Sequence, residues 1–281
     1  MDSNGISIII PCYNDGKYII EAISSVKSQT YTNWEIIVID DGSTDRQTIE
    51  VLKKIRGEGI AVLNGGHHGP AAARNLGIDA AKGKYILPLD ADDKIAPTYL
   101  EKAISVMESN PEIGVVYCYA NLFGKASGRW ELPDYSFSKM LFDNVVFVTS
   151  LFYREDWQRV GGFSVSMEHG LEDYDFWLSI LELERQIYQI PEVLFFYRIK
   201  TVSRTTKLKD RTEHMKKMYD VLFEKHKQLY AQYYDIVIPQ LRNALLEQMA
   251  IKSKLERLIL GLGMAKRVPW LRKFGREAFK R

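Results

Sequence analysis

Residues 84–94 read KYILPLDADDK, an apolar run from Tyr85 to Leu89 followed by Asp90, Asp92 and Asp93 within four positions. Such a short apolar run reads as a buried strand. Three like charges placed so close together repel, and the usual relief is a bound cation. Upstream of this stretch the chain alternates between two periods. Ile6–Ile10, closed by Pro11, reads as a strand, and Ile19, Ile20, Ile23 and Val26 follow at helical spacing. Glu35–Asp40 reads as a second strand, with Ile49, Leu52 and Ile55 marking a second helix. Ile60–Leu63 is a third strand, and Pro70–Ala81 a third helix that ends near Gly83. The order βαβαβαβ predicts an α/β fold, a mostly parallel sheet flanked by helices on both faces. Ligands bind beyond the carboxyl ends of the strands in such sheets. Asp90–Asp93 therefore belong in a cleft, not in the core.

Two further loops share that edge. IVIDDGSTD, residues 37–45, puts Asp40 and Asp41 at the end of the second strand. A carboxylate there can accept hydrogen bonds from a base or a ribose. Gly42 permits a tight turn, and Ser43 or Thr44 can cap the next helix. NGGHHGPAAARNLG, residues 64–77, is glycine-rich and runs into a helix. A helix N-terminus attracts phosphate, and Arg74, one turn in, offers a bidentate fork to it. His67 and His68 read as polar loop residues. The loop matches neither G-x-x-x-x-G-K-[ST] nor G-x-G-x-x-G, which removes the best support for an NTPase or a dinucleotide site. The all-oxygen donors at 90–93 favour Mg²⁺ or Mn²⁺ shared with substrate phosphates. A base-sized contact, a phosphate contact and a cation site on one edge describe a nucleotide-diphosphate cleft. The plainer reading, turns and helix caps, accounts for Gly42–Asp45 but leaves the paired carboxylates at 40 and 41 unexplained.

The remaining sequence sets bounds. At 281 residues, 46% hydrophobic and 26% charged, the chain has an ordinary globular composition. Cys12 and Cys118 show neither disulfide-framework nor zinc-ribbon spacing, which fits a reducing compartment. The start, MDSNGISIIIPCY, lacks the features of a secretory signal, and no apolar run reaches membrane-spanning length. A cytoplasmic protein is expected, peripheral on the inner face of the membrane if it meets one. Residues 114–206 hold three strand-like runs (VVYCYAN, NVVFVTSLFY, EVLFFYRI) and one helix, Asp173–Glu184. From Asp210 onward the chain reads as helices interrupted at Pro239, Gly261 and Pro269. Residues 241–281 carry eleven Lys and Arg against three Glu, a net +8 in a chain whose total is +2, so the rest sums to −6. Basic residues interleaved with Trp270, Phe274 and Phe279 suit an anionic membrane surface; a solvated cap or a homo-oligomerisation arm is the bland alternative. Nucleic acid is disfavoured, because no binding motif accompanies the charge.

In order, SIIIPCYN, WEIIVIDDGSTD, GPAAARNLGI, KYILPLDADD, VGGF and LEDYDFWL resemble the motifs of the family-2 inverting glycosyltransferases, which have the glycosyltransferase A fold. The resemblance runs from residue 6 to about 206. It implies a nucleotide-sugar donor, most often UDP-linked, and a Mn²⁺ or Mg²⁺ cofactor. Pro11 and Tyr13 match the loop packed on the nucleoside, and Asp41, with Asp40 beside it, the carboxylate that binds the base. Arg74 falls at a position on the phosphate side of the nucleotide. Asp90 and Asp92 match the D-x-D pair, the first facing ribose or sugar and the second coordinating the metal, with Asp93 beside them. Asp173 matches the catalytic base and Glu172 its acceptor-side companion; the plainer reading of both is stabilisation of a helix start. Asp175, on another face, reads as structural. Relatives often carry a His after "YR", where this chain has Lys200. A protonated Lys can neutralise a diphosphate but cannot coordinate a cation, which makes Lys200, Ser203 and Arg204 phosphate-contact candidates.

The resemblance divides the chain into a catalytic domain, residues 1–206, and a basic helical extension, 207–281. Within the first, 1–120 would bind the nucleotide sugar and 121–206 the acceptor. The implied activity is transfer of one sugar to a hydroxyl of a glycan or lipid-linked acceptor in cell-envelope or exported polysaccharide synthesis. No Q-x-x-R-W motif is present, which favours a non-processive enzyme. A nucleotidyltransferase would need a glycine- and lysine-rich triphosphate loop where this chain has PCYNDGKY. A sugar-nucleotide-binding scaffold without catalysis is opposed by the presence of Asp92 and Asp173.

Overall fold

Ile6–Cys12 (β1) lies inside a sheet, with Ile6, Ile8, Ile9 and Ile10 all cut off from solvent. Both faces are covered, and that is why the run is continuously apolar and not alternating. The computed structural model describes residues 5–167, 170–201 and 211–261, with side chains from 213 to 254 in the last segment. Trp34–Asp40 (β2) and Tyr85–Pro88 (β4) flank β1 in parallel, and Ala61–Asn64 (β3) extends the sheet beyond β2. The helices between them are Ile19–Lys27 (α1), Arg46–Gly57 (α2) and Gly69–Asp79 (α3). Asp45 starts α2, its carboxylate accepting from the amides of Gln47 and Thr48. The expected βαβαβαβ order is thus present, with ends shifted by one or two residues.

The second half of the sheet is mixed. Ile113–Gly124 (β6) pairs in parallel with Gln186–Ile199 (β9). Leu151–Tyr153 (β8) runs antiparallel between β4 and β6, while Lys94–Ile95 (β5) pairs antiparallel with β9 and Gly128–Arg129 (β7) with β6. The order is β3-β2-β1-β4-β8-β6-β9-β5. β4 and β5 are four places apart in that order, yet only residues 89–93 join them. On a flat sheet four spacings are about 19 Å, close to the roughly 21 Å that six fully extended steps reach. The linker instead makes a turn, Asp93 N donating to Asp90 O at 3.0 Å. The sheet must curl, and the curl carries the end of β9 round to the acidic turn.

Three expectations are corrected. Residues 144–150 are mostly buried but irregular, and only 151–153 join the sheet. Their carbonyls are satisfied from the side: Trp177 Nε1 donates to Val146 O and Tyr99 OH to Thr149 O. The apolar run there records burial, not a strand. The helix expected at Asp173–Glu184 is Glu172–Leu181 (α7), buried on all sides from Tyr174 to Leu181. Finally, Tyr234–Gly261 (α10) runs through Pro239, which lies near its start.

Between these come Tyr99–Ser109 (α4), Phe137–Met140 (α5), Arg154–Val160 (α6), Arg211–Lys225 (α8) and Lys227–Gln232 (α9). Contacts divide the chain into two compact units, Met1–Leu229 and Tyr230–Arg281, later than the boundary expected at 206. The reason is His226, fully buried, with its ring nitrogens 3.0 Å from Asp175 Oδ1 and 2.9 Å from Glu182 Oε1. Those contacts bind the end of α8 to α7. In the second unit α10 exposes Tyr234, Ile238, Leu241, Leu245 and Met249. Ser203, Arg204 and the aromatic residues of the expected membrane segment lie outside the described residues.

α3 crosses β1 and β2 at Gly77, where an added Cβ would sit 2.5 Å from Ile39 Cδ1 and 2.6 Å from Ile9 Cγ2. Gly77→Ala should therefore lift α3 off the sheet and lower unfolding stability by about 1–3 kcal/mol, despite the better helix propensity of Ala. Urea unfolding checks this.

Candidate active site

The acidic turn after β4 meets α3 and α7 through one side chain. Arg74 is 3% exposed; its Nη2 lies 2.9 Å from Asp90 Oδ1 and its Nη1 3.0 Å from Glu172 Oε1. Burial alone would disfavour its charge, but Asp90 and Glu172 more than reverse this and raise its pKa. The Nε has no hydrogen-bond partner among the described residues. Arg74 is thus engaged by carboxylates, where the sequence suggested a fork open to phosphate.

Asp173 sits beside Glu172 in the first turn of α7, entered through Leu171 at φ 67°. Its Oδ1 accepts from the Tyr174 amide at 2.8 Å. The carboxyl is pushed up to about 7, first by burial and then by the charge of Glu172, against the opposing pull of Arg74, the Tyr174 amide and Asn144. A carboxyl near neutrality can give or take a proton at working pH. Asp175 points the other way, fully buried between Lys225 (2.7 Å) and His226, the structural role its sequence position suggested.

At the ends of β1 and β2 the carboxylates hold loops. Asp41, largely buried, accepts from the amides of His68 (2.8 Å) and Gly69 (3.0 Å), and so anchors the start of α3. Asp40 Oδ1 accepts from Ser43 N at 2.9 Å. Tyr13 is 42% exposed, and its ring meets that of His67 at 4.6 Å. Pro11 is opposite Ile39 in the β1–β2 pair. These residues share one edge, as the strand order required.

The curl brings β9 to the acidic turn. Arg198 N donates to Asp93 Oδ1 at 2.8 Å and Arg198 Nε to Asp92 O at 2.7 Å. Lys200 Nζ lies 2.7 Å from Asp92 Oδ2 and 2.9 and 3.2 Å from the two carboxylate oxygens of Asp15. Asp92 is raised by burial and by Asp90, opposed by Lys200. Asp93, 2% exposed, is raised well above the usual range by burial and by Asp92 and Asp90. Asp15 and Arg198 were missed in the sequence. Asp15 lies in the loop after the first strand, on the ligand-binding edge, and that position was its only signal; its partner is 185 residues away.

Asp90 and Asp92 are engaged by separate cations, Arg74 and Lys200. Among the described residues no group of three acidic, His or Cys side chains is spaced to hold a metal. The donor chemistry nevertheless fits a hard divalent cation: Asp92 and Asp15 present oxygens to one positive centre, which here is the Lys200 ammonium. Two carboxylates plus substrate phosphates suffice for Mg²⁺.

Arg74→Met should take the guanidinium away from Asp90 and from the more deeply buried Glu172, at a cost of about 3–5 kcal/mol in unfolding free energy. Denaturant titration with circular dichroism measures it.

Comparison with known proteins agrees with this geometry. The sequence model described as Glycosyl transferase family 2 matches residues 7–165. An uncharacterized glycosyltransferase of Rickettsia prowazekii is 32% identical over 233 residues, 78% of this chain and 72% of that protein. An uncharacterized protein of Sinorhizobium fredii is 31% identical over 204 residues, 69% of this chain but 22% of its own length. Among solved structures, S. aureus TarS in complex with UDP-GlcNAc has a TM-score of 0.63 at 21% identity, covering 76% of this chain and 65% of that one. The mannosyltransferase PcManGT from Pyrobaculum calidifontis, in complex with GDP-Man and Mn²⁺, has a TM-score of 0.62 at 19% identity, covering 97% and 84%. These two share the fold, the glycosyltransferase A type. With its family match over more than half the chain, a sheet curled round an acidic turn and a second carboxylate pair facing it across Arg74, the chain belongs to glycosyl transferase family 2.

Proposed function

We propose that the protein moves one sugar from a UDP-linked donor to a hydroxyl of a glycan or lipid-linked acceptor, with inversion at the anomeric carbon, in envelope or exported polysaccharide synthesis. The observation that carries this reading is Asp173: a part-buried carboxyl raised to about 7 beside the Arg74-linked pair Asp90 and Glu172. The named complexes of TarS and PcManGT, with UDP-GlcNAc and with GDP-Man and Mn²⁺, support a nucleotide-sugar donor. No helix among the described residues is long and apolar enough to cross a membrane. The acceptor would be met at the surface.

In this reading Pro11, Tyr13, Asp40 and Asp41 form the nucleoside end of the site. Asp90 orients the ribose or sugar, and Lys200 faces the diphosphate. Asp173 accepts the proton of the acceptor hydroxyl as its oxygen bonds to the anomeric carbon. The bond from that carbon to the diphosphate oxygen breaks, and the electron pair leaves on the nucleoside diphosphate. Glu172, fixed by Arg74, keeps negative charge beside Asp173 and so raises its basicity. A divalent cation held by Asp92 and Asp90, when bound, would offset charge on the departing diphosphate.

The test is release of nucleoside diphosphate from a panel of UDP- and GDP-sugars in the presence of glycan acceptors. Asp173→Asn should keep donor affinity and lose on the order of 10²–10⁴-fold in kcat; unchanged turnover rules out the base. In the wild type kcat/KM should rise with pH through about 7, because the base must be ionised.

Stability moves the opposite way. A carboxyl whose folded pKa is raised binds protons more tightly folded than unfolded, so stability falls as pH climbs from the ordinary carboxylate range to about 7. Asp173→Asn should therefore raise Tm at about pH 8 and change it little at about pH 4. Differential scanning fluorimetry across pH reads this.

A further inference from the structure

Lys200 is held by two carboxylates at once, 2.7 Å from Asp92 and 2.9 Å from Asp15, with all three side chains mostly withdrawn from solvent. Screening is weak there, and the contacts are strong. Two negative charges share one ammonium, so the trio is one charge short of neutrality. Oxygen donors converging on a single positive centre is also the arrangement a divalent cation takes. The two occupants exclude each other: a metal ion coordinated by Asp92 Oδ2 would lie against a protonated amine, which offers it no lone pair.

Lys200 can also leave. It lies one residue beyond the end of β9, outside the strand ladder, on a flexible four-carbon stem. Arg198, two residues back, is tied down by Asp92 O and Asp93 and carries the backbone position without it.

We propose that Lys200 is an exchangeable countercharge: in the ligand-free protein it occupies Asp92 and Asp15 in competition with a divalent cation, and a bound diphosphate draws it away. Asp15 thereby becomes part of the cation site, adding a carboxylate beside Asp92 and Asp90. The competition for Asp92 is independent of the nucleotide-sugar reading; the transfer to a diphosphate rests on it.

The experiment uses the full chain, freed of metal with EDTA. Mn²⁺ is titrated against wild type, Lys200→Met, Lys200→Arg and Lys200→Met/Asp92→Asn, with free Mn²⁺ followed by its paramagnetic resonance signal. Calorimetric titrations of UDP and GDP, with and without Mn²⁺, complete the set. Without nucleotide, Lys200→Met should bind Mn²⁺ at least about tenfold more tightly than wild type. Lys200→Arg, which keeps the charge, should stay near wild type and show that the cleft is intact. Asp92→Asn should abolish the gain. Nucleoside diphosphate should tighten Mn²⁺ on wild type, and Lys200→Met should lose diphosphate affinity when metal is absent. Unchanged or weaker Mn²⁺ binding in Lys200→Met overturns the proposal, as does a gain that survives Asp92→Asn. If the Mn²⁺ gain appears but neither UDP nor GDP binds, the competition stands while the nucleotide reading and the transfer step fall. If a diphosphate binds and the Mn²⁺ response is flat, the exchange falls and the nucleotide reading stands.

Discussion

A single buried guanidinium sets the terms for the site. Arg74 comes from α3, Asp90 from the turn after β4 and Glu172 from the start of α7; Arg74 and Glu172 are buried where they meet, and Asp90 stays partly open to solvent. Each carboxylate alone would be costly in that position, and so would the arginine. Together they fix three elements drawn from distant parts of the chain. Arg74 also sets the field felt by Asp173, pulling its carboxyl down while burial and Glu172 push it up. A packing element and an electrostatic element are the same side chain.

The acidic turn poses the complementary problem. Asp90, Asp92 and Asp93 repel one another, and each is given a separate answer. Asp90 takes Arg74, Asp92 takes Lys200, and Asp93 accepts a backbone amide while burial raises it well above the ordinary carboxylate range. The last two answers depend on the curl of the sheet, which brings β9 to the end of β4. Such concentrations of like charge subtract from stability and are retained where charge is to be met by a ligand. In the proposed reading, that ligand is the donor diphosphate with its cation.

The helix that carries Glu172 and Asp173 is unusual in having no solvent face. Trp177 reaches the backbone of the irregular 144–150 segment, and Asp175 is clamped by Lys225 of α8 and by His226 just after it. α8 therefore belongs to the body of the molecule. The first turn of α7 is held from behind by the core, which in the proposed reading suits a proton-accepting group whose position must not drift.

Much of this was legible in the chain itself. The alternation of apolar runs at β and α spacing fixes four parallel-type strands with their helices, and the rule that such sheets bind at their carboxyl edge places Asp40, Asp41, Arg74, Asp90 and Asp92 together. Local periodicity carries that information because each run need only bury its own face. The tertiary structure alone decided the rest. It turned NVVFVTS into buried irregular chain, since side chains from α4 and α7 satisfy carbonyls that a strand would otherwise pair. It turned Arg74 toward Glu172 and joined Lys200 to Asp15. Charge pairing between residues 98 or 185 positions apart leaves no periodic trace in the sequence, because it depends on which way a nine-stranded sheet curls.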